Sequence, residues 1–330
     1  MKKEKSFLRK IIVILSILAA ACGAFAAVML KIFADTFLRK DPDPNEEFDP
    51  KTEECYVRYH RQKREALPRL NSLPMEQVEI TADDGVTLRG RLYHVKDYNK
   101  KVVLACHGFH ANGINDMARF VNMYERMGFD FLIISQRAHE LSDGKYITFG
   151  VKEHRDGIRW ARKIVDIYGD DVQIVLHGLS MGAATVLMMT GSSTLPPNVK
   201  CCIADSPYDN FEKEADHCFK GLIKFDPLRT LMVKTMSLLT TAADGFKLSD
   251  AAPIEAVKHA TVPILFIHGT GDTFVPCSMG QADYEACCSE KEQLLIPGAA
   301  HVCSYTEAPE EYEERFEGFC RKYIYSKRQK

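Results

Sequence analysis

The sequence lacks an excess of charge of either sign. It contains 43 lysine and arginine residues against 45 aspartate and glutamate residues, a formal net charge of −2. A surface that binds nucleic acid needs a strong basic excess, because it must neutralise many phosphates. The balanced charge therefore argues against nucleic acid as a partner.

Motifs of several other function classes are also missing. The sequence contains no P-loop and no GxGxxG, and no histidine, cysteine or acidic residues are spaced like a metal site. No internal repeat or low-complexity stretch is visible either. The sequence therefore predicts no nucleotide, no metal and no other cofactor.

No disulfide plan is evident among the eleven cysteines. Their number is odd, none is spaced as CxxC, and the adjacent pairs Cys201-Cys202 and Cys287-Cys288 could bridge only with strain. We therefore expect reduced, mostly buried thiols that behave as small apolar residues. This expectation conflicts with the location outside the cytoplasm that the charged residues around the N-terminal hydrophobic run favour.

One long hydrophobic run is present near the N-terminus. Residues 11–30 (IIVILSILAAACGAFAAVML) carry no charge, and twenty helical residues span about 30 Å, the thickness of a bilayer's hydrocarbon core. The run predicts a membrane anchor over residues 11–33. The alternatives are a cleaved signal at Ala19-Ala20-Ala21, a lipoprotein signal at Ala21-Cys22-Gly23, and a buried core helix.

The flanking charges predict the orientation of this run. Five basic residues and one acidic residue precede it in a tail of residues 1–10, and acidic residues predominate soon after it. Because basic residues stay on the cytoplasmic side, we expect the N-terminus inside and the rest of the chain outside the cytoplasm. Residues 34–74 are interpreted as an acidic spacer (DPDPNEEFDP at 41–50) followed by a lead-in helix.

The rest of the chain, residues 75–326, alternates short apolar runs with helical patterns. Residues 78–93 alternate around Asp83-Asp84-Gly85 and predict a β-hairpin. Buried strands are predicted at residues 102–106, 129–135, 172–177, 200–204, 263–268 and 291–297. Helices between most of them indicate an α/β fold with a doubly wound, mostly parallel sheet. Almost sixty residues before the strand at 263 show no strand pattern, so residues 211–260 are expected to form a helical lid.

The strongest chemical motif is the sequence GLSMG at residues 178–182. It follows a predicted strand and precedes a good helix start, which is the context that a nucleophile elbow requires. Side chains at Gly178 and Gly182 would collide with the neighbouring strand and helix, so the tight turn holds Ser180 in a strained conformation. Ser180 is therefore the candidate nucleophile.

A serine nucleophile needs a base, and the base needs an orienting acid. In this setting the chain order is serine, then acid, then histidine. Asp272 follows one predicted strand and His301 follows the next, so both are expected where ligands gather at the carboxyl ends of strands. They are the candidate acid and base, and Asp205, which also follows a strand, is the alternative acid.

An oxyanion needs two N–H donors. The expected donors are the amide of Met181, directly after the candidate nucleophile, and the amide of Phe109, in the loop after an early strand. Other conspicuous residues are interpreted as structural. These are His107, His177, His268 and Cys303.

These motifs make residues 75–326 resemble the α/β-hydrolase family, within it the serine aminopeptidase-like, monoglyceride-lipase-type branch. The matching segments are HGF at 107–109, GLSMG at 178–182, GTGDTFVP at 269–276 and GAAH at 298–301. The resemblance implies the α/β-hydrolase fold, a triad of Ser180, Asp272 and His301, and an oxyanion hole at Phe109 and Met181. Residues 135–142 (SQRAHELS) depart from the family's DxRGHGxS, in a loop that usually shapes the sheet edge and pocket.

The function that these residues predict is a membrane-anchored serine hydrolase that cleaves an ester or a related acyl bond of a small molecule. A lipid and a peptide both stay open as substrates, because the lid decides the pocket. Peptidase and thioesterase activities on the same triad are alternatives within this class. A membrane-tethered binding or scaffold protein that does not use its triad is the alternative outside it.

Overall fold

The computed structural model describes residues 2–39, 54–95 and 100–324, and its centre is a sheet of eight strands. Their spatial order is β1-β2-β4-β3-β5-β6-β7-β8. In chain order they are β1 (Met75–Thr81), β2 (Thr87–Tyr93), β3 (Lys101–Cys106), β4 (Asp130–Ile134), β5 (Gln173–Leu179), β6 (Val199–Asp205), β7 (Ile264–Gly269) and β8 (Lys291–Ile296). Strand β2 runs antiparallel to β1 and β4, and all other neighbours are parallel. The predicted hairpin and mostly parallel sheet are confirmed.

Helices bury both faces of this sheet. Along β3, Val103 and Ala105 belong to one apolar core, whereas Val102 and Leu104 belong to the other. Since both faces are covered, the strand reads as a continuous apolar run rather than an alternating one. The helices after the N-terminal one are α2 (Glu54–Ser72), α3 (Gly113–Met117), α4 (Val121–Arg126), α5 (Glu153–Tyr168), α6 (Met181–Thr190), α7 (Phe211–Leu222), α8 (Asp226–Asp244), α9 (Pro253–Val257), α10 (Cys277–Ala286), α11 (Ser304–Glu307) and α12 (Pro309–Tyr323).

The interval between β6 and β7 is helical, as the sequence predicts. It contains α7, α8 and α9, and no strand is described within it. The Asn210 side chain caps α7 by accepting hydrogen bonds from the amides of Glu212 and Lys213, and Gly245 ends α8 with a φ of 75°. We call α7 and α8 the insertion helices.

Helix α1 (Lys2–Phe37) contains the N-terminal apolar run and begins within the predicted basic tail. Its segment Ile12–Phe37 is the one helix in the described part of the chain that is long and apolar enough to cross a membrane, by length and composition. The described side chains from residue 12 to residue 24 are all exposed, whereas Met29 and Phe37 are buried against the rest of the protein. The predicted acidic stretch at 41–50 and the last residues of the predicted domain, 325 and 326, lie outside the described residues.

The cysteines are mostly buried, which confirms that part of the prediction. The buried ones are Cys55, Cys106, Cys201, Cys202, Cys287, Cys303 and Cys320. Burial raises the pKa of the Cys106 thiol to about 12, so this side chain is a neutral, apolar group at physiological pH.

Candidate active site

Ser180 occupies a strained turn between β5 and α6. Its φ of 53° lies in the region that residues with a side chain rarely adopt. A Cβ atom on Gly178 would lie 2.2 Å from the carbonyl oxygen of Gly182, and one on Gly182 would lie 2.1 Å from that of Cys106. No side chain fits at either position. The steric role predicted for both glycines is confirmed.

Ser180, His301 and Asp272 come together beyond the carboxyl ends of β5, β8 and β7. His301 Nε2 lies 2.8 Å from Ser180 Oγ, and His301 Nδ1 lies 2.7 Å from Asp272 Oδ2. Ser180 and His301 are 121 positions apart in the chain. The fold therefore joins the three residues predicted from the sequence in one hydrogen-bonded series, and all three are buried.

Asp272 is held by four donors. Its Oδ1 accepts the backbone N–H groups of Phe274 (3.0 Å) and Val275 (2.8 Å), and its Oδ2 faces His301 and, at 3.3 Å, His268 Nε2. Burial by itself raises the pKa of the Asp272 carboxyl, but the hydrogen bonds of His268 and His301 outweigh burial and lower this pKa to about 2. Asp272 is therefore an oriented carboxylate at neutral pH, and the Nδ1–H of His301 donates to it.

His268 is a contact of this carboxylate that the sequence interpretation did not assign. The sequence marks His268 only as a strand-end residue. In the structure its Nε2–H points at both Asp272 Oδ2 and the carbonyl oxygen of Val275, which lies 3.0 Å away. His268 therefore links the end of β7 to Asp272 and Val275 in the loop that follows it.

The loop His107–Phe109 lies against Ser180 and is braced from two sides. A Cβ on Gly108 would lie 3.5 Å from Ser180 Cβ. The Gly108 N–H donates to Asp116 Oδ2 at 2.7 Å, and the Tyr59 hydroxyl donates to Asp116 Oδ1 at 2.7 Å. The lead-in helix α2 thus supports this loop through Tyr59. No local sequence pattern could reveal that contact, since Tyr59 and Asp116 are 57 positions apart.

The segment that departs from the family pattern braces the same loop. The backbone N–H of Gln136 donates to His107 Nε2 at 3.0 Å, and the side-chain Nε2 of Gln136 donates to the His107 carbonyl oxygen at 2.6 Å. His107 Nδ1 therefore carries the proton and donates to the carbonyl oxygen of Gly108. Burial lowers the pKa of His107, so its ring is a neutral part of the loop, as interpreted from the sequence.

The other residues interpreted as structural are also buried in contacts outside the series. His177 Nε2 lies 3.0 Å from the hydroxyl of Tyr312, and burial lowers the pKa of His177 to about 3. Cys303 packs in a small apolar cluster that includes Cys55.

Asp205 Oδ1 accepts the hydroxyls of Ser206 (3.0 Å) and Ser304 (3.3 Å). It is Asp272, not this alternative acid, that meets His301 Nδ1.

An apolar cavity of about 190 Å³ opens beside Ser180. Phe109 and Met181, the predicted oxyanion donors, line it together with Ser180. Further wall residues come from the insertion helices and from the C-terminal end of α1. The cavity can therefore hold an apolar group next to the Ser180 hydroxyl.

One acidic side chain stands in the wall of this cavity. Glu214, on α7, is 3% exposed, its Oε1 accepts the Cys218 thiol at 3.2 Å, and its Oε2 has no hydrogen-bond partner among the described residues. Burial raises the pKa of the Glu214 carboxyl to about 7. Its position in the sequence does not mark it, because an acidic residue in the first turn of a helix is ordinary.

Replacing Glu214 with glutamine is expected to reduce the loss of stability at alkaline pH. The folded protein keeps the Glu214 proton up to about pH 7, whereas the unfolded chain releases it near pH 4.5. This carboxyl therefore lowers the free energy of unfolding as the pH rises from 4.5 to 7, by about 3 kcal/mol. Glutamine stays neutral at both pH values. The free energy of unfolding of Glu214→Gln, relative to that of the wild type, should therefore be higher at pH 8 than at pH 5.

Thermal unfolding of the full chain in detergent at pH 5 and pH 8 measures this effect. Glu212→Gln, a partly exposed position on the same helix, is the matched control and should show no such pH-dependent gain. A stability difference between Glu214→Gln and the wild type that is equal at both pH values would contradict the prediction.

Comparison with known proteins agrees with this architecture. Residues 101–227, which contain the loop His107–Phe109 and the turn at 178–182, match the model of the α/β hydrolase fold. The chain has the α/β-hydrolase fold. The chain is 25% identical over 254 residues to the uncharacterized protein YqkD of Bacillus subtilis, across 74% of the chain and 80% of YqkD.

Solved structures share the fold of this chain. The Pyrococcus furiosus esterase Pf2001 is similar with a TM-score of 0.62 and 22% identity, over 88% of this chain and 100% of that one. Est1E of Butyrivibrio proteoclasticus, solved with ferulic acid bound, has a TM-score of 0.55 and 20% identity over 75% and 99%. An acylaminoacyl peptidase of Pyrococcus horikoshii has a TM-score of 0.55 and 14% identity, over 80% of this chain but 44% of the peptidase. The predicted fold is confirmed, and the narrower branch stays a prediction.

Proposed function

We propose that this protein is a membrane-anchored serine hydrolase that cleaves carboxylic esters. The observation that supports it most is the hydrogen-bonded series from Ser180 Oγ through His301 to Asp272. The strained turn at Ser180 and the apolar cavity beside it add support. In this assignment Ser180 is the nucleophile, His301 the base and Asp272 the orienting acid.

Acylation begins when Ser180 Oγ attacks the carbonyl carbon of the ester and His301 Nε2 takes the hydroxyl proton. Asp272 keeps the other imidazole proton on Nδ1 and stabilises the resulting cation. The backbone amides of Phe109 and Met181 donate to the oxyanion of the tetrahedral intermediate. The bond from carbon to the alcohol oxygen then breaks, and the alcohol leaves with the proton from His301.

Deacylation repeats these steps with water. His301 removes a proton from a water molecule, whose oxygen attacks the acyl carbon bound to Ser180. When the bond to Ser180 Oγ breaks, the serine regains its proton from His301 and the carboxylic acid is released. Every proton in the cycle moves through His301, so the sequence of steps draws on the chain's own residues and water.

An aminopeptidase on the same triad is the second candidate, and Glu214 is the observation that favours it. Its Oε2 is buried in the cavity wall without a hydrogen-bond partner among the described residues, and a carboxylate there would pair with a protonated amine. p-Nitrophenyl esters of two to sixteen carbons, assayed beside aminoacyl amides, separate the two. Faster turnover of the esters supports the esterase.

The membrane part of the proposal assigns residues 11–33 as an anchor with the N-terminus in the cytoplasm. The length and composition of Ile12–Phe37 support the anchor, and the basic residues of the N-terminal tail support the orientation. The hydrolase domain would then lie outside the cytoplasm, on the membrane surface.

Labelling with a fluorophosphonate probe tests the proposed nucleophile. The full-length protein in detergent is expected to be labelled, and Ser180→Ala is expected to abolish the labelling, because the probe reacts only with an activated serine hydroxyl. Ser206→Ala is the matched control. Ser206 is likewise buried, has a positive φ of 59° and follows a strand, but its hydroxyl donates to Asp205 instead of facing His301.

Two outcomes would count against the proposal. A folded wild-type sample that takes up no probe would favour a binding or scaffold protein over an enzyme. Labelling that persists in Ser180→Ala and disappears in Ser206→Ala would place the nucleophile elsewhere.

A further inference from the structure

Helix α1 changes its surroundings half-way along. The described side chains from residue 12 to residue 24 are exposed, but beyond them one face of the helix is packed. That face consists of Phe25, Met29, Ile32, Phe33, Thr36 and Phe37, which recur at three- and four-residue spacing. Met29 is 1% exposed and Phe37 is 2% exposed. The C-terminal half of α1 is therefore part of the protein's core.

The packed face of α1 reaches the cavity of the candidate active site. Ile32, Thr36 and Phe37 line the same cavity as Ser180. The ring of Phe37 lies edge-on to Phe149, with 5.4 Å between ring centroids, and to Phe211, with 6.1 Å. Both of these rings line the cavity as well. One wall of the site is thus made by a helix whose other half is exposed and apolar.

The length of the exposed segment places this wall at the membrane boundary. Thirteen helical residues, 12–24, extend about 20 Å, whereas the hydrocarbon core is about 30 Å thick. A span that begins at Ile12 must therefore continue to about Lys31, the first charged residue after Lys10. Phe25 and Met29 lie within this span and already pack on the protein. The protein must consequently touch the bilayer where α1 leaves it.

The insertion helices carry apolar side chains suited to that position. Helix α8 contacts α1, and on or beside the insertion helices Leu222 is 81% exposed, Phe225 66% and Leu238 70%. Exposure of large apolar side chains to water is unfavourable. A lipid surface beside α1 would cover them.

We propose that α1 forms part of the substrate site and that the substrate is an acyl ester lipid of the bilayer. Its acyl chain would lie in the cavity against Ile32, Thr36 and Phe37, and its ester would reach Ser180. This inference rests on the proposed esterase function. Beyond that function, we infer that helix α1 selects the acyl chain of the ester. Membrane anchoring and acyl-chain specificity would then both depend on α1.

The test compares two tryptophan substitutions on α1 in the full-length protein, reconstituted in phospholipid nanodiscs. Ile32→Trp adds bulk to the cavity wall, and Val28→Trp adds the same side chain on an exposed face, where Val28 is 52% exposed. Ile32→Trp is expected to lower the ratio of kcat/KM for p-nitrophenyl palmitate to kcat/KM for p-nitrophenyl acetate at least 10-fold. Val28→Trp is expected to leave this ratio unchanged.

A chain-length profile of Ile32→Trp that matches the wild type, or an equal loss on both esters, would overturn the inference. Where Ile32→Trp does not fold, Ile32→Ala widens the same wall and should raise the ratio of palmitate to acetate turnover, and an unchanged ratio overturns the inference as well. Acetate hydrolysis by the wild type reports on the triad alone. Its absence would count against the proposed function, whereas its presence without a chain-length effect would count only against the role of α1.

A second pair of measurements identifies the bilayer as the source of the ester. The double variant Leu231→Glu, Leu238→Glu places charge on the exposed face of α8, where these residues are 50% and 70% exposed. We expect it to slow hydrolysis of palmitoyl ester held in the nanodisc at least 5-fold and to leave the soluble acetate ester unaffected. Equal turnover of the nanodisc-held ester by variant and wild type would overturn the membrane source.

Discussion

Asparagine in place of Asp272 is expected to lower kcat for ester hydrolysis by about 10⁴-fold. Asp272 Oδ1 accepts the amides of Phe274 and Val275, so the asparagine oxygen takes that place and its NH₂ group faces His301. An N–H donor there requires Nδ1 of His301 to be unprotonated. The imidazole proton then moves to Nε2, which can no longer accept the proton of Ser180.

Asp205→Asn is the matched control for this variant. Asparagine has the same shape as aspartate, and its side-chain oxygen can still accept the hydroxyls of Ser206 and Ser304 that Asp205 Oδ1 accepts. We expect kcat to fall less than 10-fold. Turnover of p-nitrophenyl acetate by both variants, with thermal unfolding to verify the fold, measures the difference. A larger loss in Asp205→Asn than in Asp272→Asn would reverse the assignment of the acid.

Alanine in place of Gly182 is expected to destabilise the protein by more than about 4 kcal/mol. Its Cβ would lie 2.1 Å from the carbonyl oxygen of Cys106 and 2.6 Å from that of His107. Both atoms are backbone at the end of the central strand β3, so relief requires the strand or α6 to move. The same movement would pull the loop His107–Phe109 away from Ser180.

Gly221→Ala provides the comparison, because a Cβ at that position meets nothing within 4 Å and the residue lies in helix α7. Alanine is favoured over glycine in helices by up to about 1 kcal/mol, so this variant should be neutral or slightly more stable. Thermal unfolding in detergent measures both variants. Equal unfolding temperatures for Gly182→Ala and Gly221→Ala would show that the turn tolerates a side chain.

Much of the fold was predictable because its signals are local. Most parallel strands are apolar runs bounded by polar or turn residues, and a helix such as α5 buries residues at three- and four-residue spacing. The turn at Ser180 was predictable because the GLSMG motif and its strand-turn-helix context are local, although the backbone that excludes a side chain at Gly182 belongs to Cys106 and His107. Asp272 and His301 were predictable because each follows a strand, and parallel strands end at one edge of the sheet.

The contacts that other residues make with the candidate catalytic residues, the adjacent loop and the cavity could not be predicted from local patterns. Tyr59 reaches the loop beside Ser180 only through Asp116, and His268 meets Asp272 only because the loop after β7 folds back. Glu214 resembles any acidic residue in the first turn of a helix until the fold buries it in the cavity wall. These contacts depend on which faces of distant elements meet, and a helix pattern records only that a face is apolar.

The sequence by itself determined the type of fold, the candidate catalytic residues and the presence of a helix able to cross a membrane, because each follows from a local pattern of side chains. Only the tertiary structure decided what surrounds Ser180. It placed the insertion helices and the end of α1 around the cavity. The physical reason is that burial of an apolar face is non-directional: the sequence requires such a face to be covered, and the three-dimensional packing selects the element that covers it.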